Sequence, residues 1–315
     1  MIKSNICWKS NYIINEHQSI MNNKKIYILE DRGILFIQGM DAKEFLQNLI
    51  TNDINKVNEN NSCFASLLNP QGKYLFDFLI TQHKKGFFLD CEKKQIEELY
   101  KQLMIYKLRS NVEILNLSNE FVVAAFAYEK FMSFDEAKDS PGHTIKFGED
   151  PIFLDPRHKK LGGRIIINSE KLNLSLKKLD LEIFNTEEYY KLSHQIGILQ
   201  KDTDKLRNKI FGIECNFEEL NCIDFKKGCY VGQENTSRIK LRNKLSKRLL
   251  PIDVIKGELR EGSPILNNED EIGKILIDNQ YPFALIKFKS KNFDSQNEYK
   301  SENAVFKINF PNWIK

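Results

Sequence analysis

Six cysteines, at 7, 63, 91, 215, 222 and 229, make no C-x-x-C pair anywhere in the 315 residues. That absence argues against a disulfide framework and for a reducing, intracellular compartment. No apolar run approaches the ~18 residues that a bilayer-crossing helix needs, so a soluble protein with no membrane partner is expected. Charge of one sign is not in excess either, since 47 basic against 43 acidic side chains leave +4. The balance does not mark a dedicated nucleic-acid binder and leaves room only for a local basic patch. Histidines 17, 83, 143, 158 and 194 form no H-x-x-x-H pair. Residues 1–20 hold no arginine and no long apolar core, which excludes a secretory signal and speaks against a transit peptide. Residues 1–22 are therefore expected to be a poorly ordered extension. The expected compartment is the cytoplasm, with the mitochondrial matrix as the alternative.

What is present is ample for a core: 41% of the residues are hydrophobic, enough for two or three lobes. Gly33 to Gln38 reads as a strand, and Asp41 with Glu44 three residues on reads as a capping box. Phe45, Leu46, Leu49 and Ile50 then share one helical face. Cys63 to Leu68 and Tyr74 to Ile80 read as strands around a turn at Asn69-Pro70-Gln71-Gly72. Helical spacing of Ile96, Leu99, Leu103 and Tyr106 predicts a second helix. Residues 128–151 are weakly patterned and predict an exposed connection. After Ser246 the texture changes to short strand-like runs with turns at Gly257, Gly262 and Pro264, the pattern of a small β-barrel. The irregular mixture of strands and helices points to an α+β architecture.

The run Lys227-Gly228-Cys229-Tyr230-Val231-Gly232-Gln233-Glu234 frames one thiol between two glycines, with Lys226 before it and Arg238 after. Glycines permit a tight exposed turn, and nearby cations favour thiolate over thiol. Such a thiol is a nucleophile, a redox group or a soft-metal ligand; the plainer alternative is a small buried hydrophobe. Cys215, Cys222 and Cys229 are spaced by seven, which matches no usual cluster or zinc motif, and no metal site is expected. Lys240-Leu241-Arg242-Asn243-Lys244 with Lys247 and Arg248 is either a solvated face or a docking surface for an acidic partner or tRNA.

The segment from Asp224 to Glu234, followed by Ser237-Arg238, resembles the signature of the YgfZ family of folate-binding, iron–sulfur-maturation proteins. That family is a sister of the glycine-cleavage T-protein, an aminomethyltransferase. Phe45-Leu46-Gln47-Asn48-Leu49-Ile50-Thr51-Asn52-Asp53-Ile54 is similar to its early block. Leu67-Leu68-Asn69-Pro70-Gln71-Gly72-Lys73 with Asp77 is similar to its hairpin. Met104 to Arg109, Asp155-Pro156-Arg157 and Leu161-Gly162-Gly163-Arg164 match further blocks in family order.

The resemblance implies a T-protein-like folate-binding core over 23–244, mixed in sheets and helices with a ferredoxin-like lobe, and a C-terminal β-barrel over 245–315. It implies tetrahydrofolate or a derivative as cofactor. Transient partners would be iron–sulfur assembly proteins and client enzymes, tRNA-modifying ones among them, with no direct nucleic-acid contact expected. Cys229 would be the functional thiol, framed by Lys227, Gly228, Gly232, Gln233 and Glu234. Asp53, Tyr74, Asp77, Tyr106, Arg109, Gln195 and Arg238 are the candidates for the folate cavity. Two departures bear on activity: the first argues against ordinary aminomethyl transfer, which stays the alternative along with a folate-free adaptor, and the second implies weaker folate binding or an altered ligand. Phe76-Asp77 stands where the T-protein has two aspartates. Near Ser193-His194-Gln195, relatives carry an arginine and often a glutamate.

Overall fold

The computed structural model describes residues 23–267, 270–290 and 293–314. The expectation for residues 1–22 lies outside them. Three β-layers enclose the core. The first is an antiparallel sheet of order β3-β4-β5-β2-β6, formed by β2 (Arg32–Gln38), β3 (Cys63–Leu68), β4 (Tyr74–His83), β5 (Gly86–Glu92) and β6 (Glu113–Asn116). Helices α1 (Ala42–Leu49) and α2 (Ile96–Lys107) pack on one face of it. Phe45, Leu46, Leu49, Ile96, Leu99 and Leu103 are all buried there, as helical spacing dictates.

The second layer has order β11-β1-β7-β10-β9-β8, from β1 (Lys25–Ile28), β7 (Phe121–Phe126), β8 (Thr144–Phe147), β9 (Asp150–Leu154), β10 (Gly163–Asn168) and β11 (Glu182–Ile183). The stretch 128–151 is thus not an irregular connection. It contains a short helix, α3 (Tyr128–Met132), and the β8–β9 hairpin at the sheet edge. Its alternation is short and interrupted by Gly148, which is why periodicity missed it. Helices α4 (Leu172–Leu179) and α5 (Thr186–Ile196) follow, then α6 (Gln233–Leu241).

The third layer is a closed barrel of order β12-β15-β14-β13-β16-β17, from β12 (Arg248–Lys256), β13 (Pro264–Asn267), β14 (Asp270–Ile277), β15 (Phe283–Ile286), β16 (Glu298–Ser301) and β17 (Ala304–Ile308). Pairing of β12 with β17 closes it and leaves no edge open. Among the described residues no helix is long and apolar enough to cross a membrane.

One core joins the layers. Ile34, Tyr74 and Phe88 of the first, Ala125 and Ile166 of the second, and Leu249 and Phe283 of the barrel belong to one buried cluster. A buried ionic network also ties the first two. Asp90 on β5 accepts from Arg32 Nε at 2.6 Å and from Arg164 Nη1, on β10, at 2.6 Å. Arg164 Nη2 reaches the Tyr189 hydroxyl at 2.9 Å, and Arg157 chelates Asp155 at 2.7 and 2.9 Å. The arginines hold both carboxyls below their ordinary value although burial opposes it.

Candidate functional site

The Cys229 loop is laced onto the fold by three segments far apart in sequence. Thr51 Oγ1 donates to Cys222 O at 2.6 Å, and Asp224 N donates to Thr51 O at 3.0 Å. Lys227 turns inward. Its ammonium donates to the carbonyls of Gln47 at 2.7 Å, Ile50 at 2.6 Å and Asn52 at 2.9 Å, using all three of its protons. Burial pulls its pKa down to about 8, opposed by Asp53 and Asp224. Val231 N reaches Asn48 O at 3.3 Å. Gly232 sits at φ +82° against the β3–β4 turn, where an added Cβ would lie 2.4 Å from Asn69 O. Asn235 Nδ2 donates to Gln71 O at 2.8 Å from the first turn of α6. The blocks 45–54, 67–73 and 224–238, separate in sequence, therefore meet around one thiol.

That thiol is exposed, whereas Cys63, Cys91, Cys215 and Cys222 are buried. Burial pushes the Cys63 thiol up to about 12 and those of Cys215 and Cys222 well above the ordinary value. Among the described residues only Cys229 is available to solvent. Gly228 beside it has no atom within 4 Å of where a Cβ would stand, so the fold does not require a glycine there. The expected cationic frame around the thiol is not built from Lys227, which is spent on carbonyls. Arg238 is exposed and pairs with Glu234 at 2.5 Å along α6, and Gln233 opens that helix. His194 is not near the loop partners: its ring nitrogen lies 3.1 Å from Pro282 O at the barrel.

The seven candidates for a folate cavity do not converge. Tyr74 and Asp77 do meet, at the junction of the three layers, where the Tyr74 hydroxyl donates to the Asp77 carboxylate. Residues three apart on a strand face opposite sides, but β4 shifts register at Leu75, so both point the same way. Burial raises the Asp77 carboxyl above its ordinary value, against Tyr74, Arg32 and Arg157. Phe76 faces the helical layer under Arg207, 4.4 Å away, so position 76 does not address the cavity. Tyr106 and Arg109 line a different groove, between α1 and the end of α2. Asp53 caps the turn Ile54–Lys56, accepting from Asn55 N at 3.0 Å. Gln195 lies exposed on the outer face of α5, and Arg238 on the outer face of α6. Both corrections have the same cause: helix rotation decides which side chain turns inward, and single positions in a motif do not report it.

Sequence reasoning missed Arg157, Thr203 and Asn216, which share the cavity with Asp77. Arg157 Nη1 donates to the buried Gln200 Oε1 at 3.1 Å. The block Asp155-Pro156-Arg157 carried the signal, since an Asp-x-Arg pair can chelate itself. The cavity measures about 30 Å³, room for about two waters. The polar set suits a pterin edge, but the volume does not admit the ring, which needs a pocket on the order of 300 Å³. Cys229 does not line this cavity. Elsewhere, Glu92, Asp202 and Asp204 gather within 4.8 Å, but Lys94 stands 2.5 Å from both aspartates where a metal would sit.

A family model described as the GCVT N-terminal domain matches residues 7–127. The chain is 28% identical over 263 residues to the "iron-sulfur cluster assembly factor IBA57 homolog, mitochondrial" of Dictyostelium discoideum, covering 75% of this chain and 64% of that protein. The Neurospora crassa protein of the same description is 30% identical over 237 residues, 71% of this chain and 52% of that one. Mouse IBA57 is 26% identical over 238 residues, covering 71% and 64%. The chain thus spans between half and two thirds of the length of these relatives. Among solved structures, the glycine cleavage system aminomethyltransferase T of Bartonella henselae superposes with a TM-score of 0.70 over 92% of this chain and 86% of that one. At 12% identity that likeness shows the fold, which is the aminomethyltransferase T architecture expected from the motifs.

Proposed function

We propose that this protein is an accessory factor for iron–sulfur protein assembly, with Cys229 as its working thiol. The observation that carries the reading is the placement of Cys229. It is the only exposed cysteine among the described residues, at the point where three sequence blocks lock together. The names of the Dictyostelium, Neurospora and mouse relatives support it. A lone thiolate supplies one ligand of the four a cluster needs, so the contact is transient and completed by a partner's thiolates. The role is that of a maturation factor rather than an enzyme, with tRNA-modifying iron–sulfur enzymes among the clients. Because the relatives are described as mitochondrial, the matrix is the proposed compartment, with the cytoplasm as the alternative. In a strain lacking the protein, Cys229→Ala should restore little of the activity of a four-iron four-sulfur enzyme that wild type restores. Full restoration by a folded Cys229→Ala protein would end the proposal.

A folate-type ligand is a second reading, favoured by the convergence of Tyr74, Asp77 and Arg157 on one cavity. It requires the walls, Leu206 and Leu249 among them, to part first. A saturable rise in melting temperature with tetrahydrofolate, reduced in Asp77→Asn, supports it; a flat titration leaves the folate-free adaptor. Aminomethyl transfer gains nothing from position 76, which faces the wrong layer.

A further inference from the structure

The groove between α1 and the C-terminal end of α2 has a volume of about 850 Å³; Phe45, Leu49, Tyr106 and Leu108 form its apolar wall, and Asp41, Glu44, Asn48 and Arg109 are among its polar lining. It adjoins the Cys229 loop directly: Asn48 O receives Val231 N, and Val231 packs against the same cluster as Tyr106. Large aliphatic side chains stand exposed at the groove and beside it. Leu108, which lines the groove, is 86% exposed, and next in sequence to the lining residues Tyr106 and Asp41 stand Ile105, 65% exposed, and Met40, 89% exposed. The turn at the groove's edge is tightly packed. Gly39, at φ +123°, lets the β2–α1 turn lie against the 110–112 segment, where an added Cβ would stand 2.2 Å from Asn111 O. Asn111 N donates to Asp41 Oδ2 at 2.7 Å across the same junction. Aliphatic side chains held in water on a fixed frame point to a partner that covers them.

The charge beyond the thiol says which kind. Residues 226–248 carry eight cations and one carboxylate, a net +7 in a chain whose total is +4. Lys227 and Arg248 are buried, but Lys226, Arg242 and Lys244 are exposed and have no carboxylate within ion-pair distance among the described residues. Leu241, 85% exposed, lies between Lys240 and Arg242. Cys229 thus stands between that groove and the unpaired cations that flank α6, Lys226 before it and Arg242 and Lys244 after it. The exposed large hydrophobics on this face are aliphatic, not the aromatic platforms on which unpaired bases stack. We propose that the α1–α2 groove and the 226–244 basic segment together form the docking surface for an acidic protein, which lays an apolar edge in the groove and brings its own ligands to Cys229. The inference rests on Cys229 being the working thiol.

The test uses Cys229 as its own reporter in full-length Cys7→Ser protein. The probe is a 16-residue helical peptide with four glutamates, three leucines on one face and one cysteine carried as a mixed disulfide with thionitrobenzoate. Attack by the Cys229 thiolate joins it to the peptide sulfur and releases coloured thionitrobenzoate with the electron pair. The acidic leucine peptide should react at least 10-fold faster than analogues with lysine for glutamate or serine for leucine. Ile105→Glu with Leu108→Glu should abolish the leucine advantage, and Lys226→Glu with Arg242→Glu and Lys244→Glu the glutamate advantage. All variants should react alike with a small uncharged disulfide. Equal rates for all peptides, with that small reagent still reacting, overturn the docking surface alone. Failure of the small reagent overturns the thiol reading beneath it. Shielding of Cys229 by a 15-residue oligouridine, indifferent to Ile105→Glu, would assign the surface to nucleic acid and also overturn the proposal.

Discussion

Gly228 and Gly232 flank the same thiol, yet the surrounding packing treats them oppositely. At Gly232 the backbone is left-handed and a side chain would collide with the Asn69 carbonyl, whereas Gly228 faces open space. Gly232→Ala should therefore destabilise the protein by about 2–4 kcal/mol, from strain plus displacement of the β3–β4 turn. Gly228→Ala should stay within about 0.5 kcal/mol, and paired urea titrations of the two check both. Asp77 gives the second expectation. Its carboxyl is raised in the folded state, so the folded protein binds the proton more readily than the unfolded chain. Stability from this group is full at low pH and is lost as pH rises through the folded value, which lies above 3.8. Asp77→Asn should accordingly melt higher than wild type at pH 7, and the gap should close on acidification toward pH 4. A gap that widens on acidification would contradict the burial argument.

The Cys229 loop owes its position to elements it does not touch in sequence. Gln47 in the last turn of α1, and Ile50 and Asn52 just past it, each turn a carbonyl to Lys227, which satisfies the three from 175 to 180 residues away. Lys227→Met removes the donors and leaves those buried acceptors unpaired, at a cost of about 2–5 kcal/mol. It should also free the loop, so that Cys229 reacts faster with a small uncharged disulfide while the melting point falls. Unchanged stability with unchanged thiol reactivity would show that the clip is dispensable. The start of α1 corrects an expectation. Asp41 makes no side-chain cap there, because its carboxylate is drawn to Asn111 N across the molecule. Local pattern proposes a cap, and a tertiary partner outbids it.

The three layers share one buried cluster, with Leu249, Leu276 and Phe283 of the barrel set among residues of the two sheets. We propose that the division at 244/245 separates architectures rather than independent folding units. A chain ending at residue 244 should expose that apolar face and melt without a cooperative transition, which calorimetry reads directly. A sharp transition for the shortened chain would make the core autonomous.

Short-range information was enough for much of this. Alternating and helical periodicities foretold β2, β3, β4, α1 and α2, and the turn-rich texture after Ser246 foretold the barrel, because burial of one face imposes period on neighbouring residues. The glycine-framed thiol was likewise visible, since backbone freedom belongs to individual residue types. The inward turn of Lys227, the register shift at Leu75 that aligns Tyr74 with Asp77, the outward face of Gln195 and the separation of Tyr106 and Arg109 from the central cavity were not. Each is set by contacts between segments tens to hundreds of residues apart, and side-chain direction follows from how those segments pack rather than from the letters beside it.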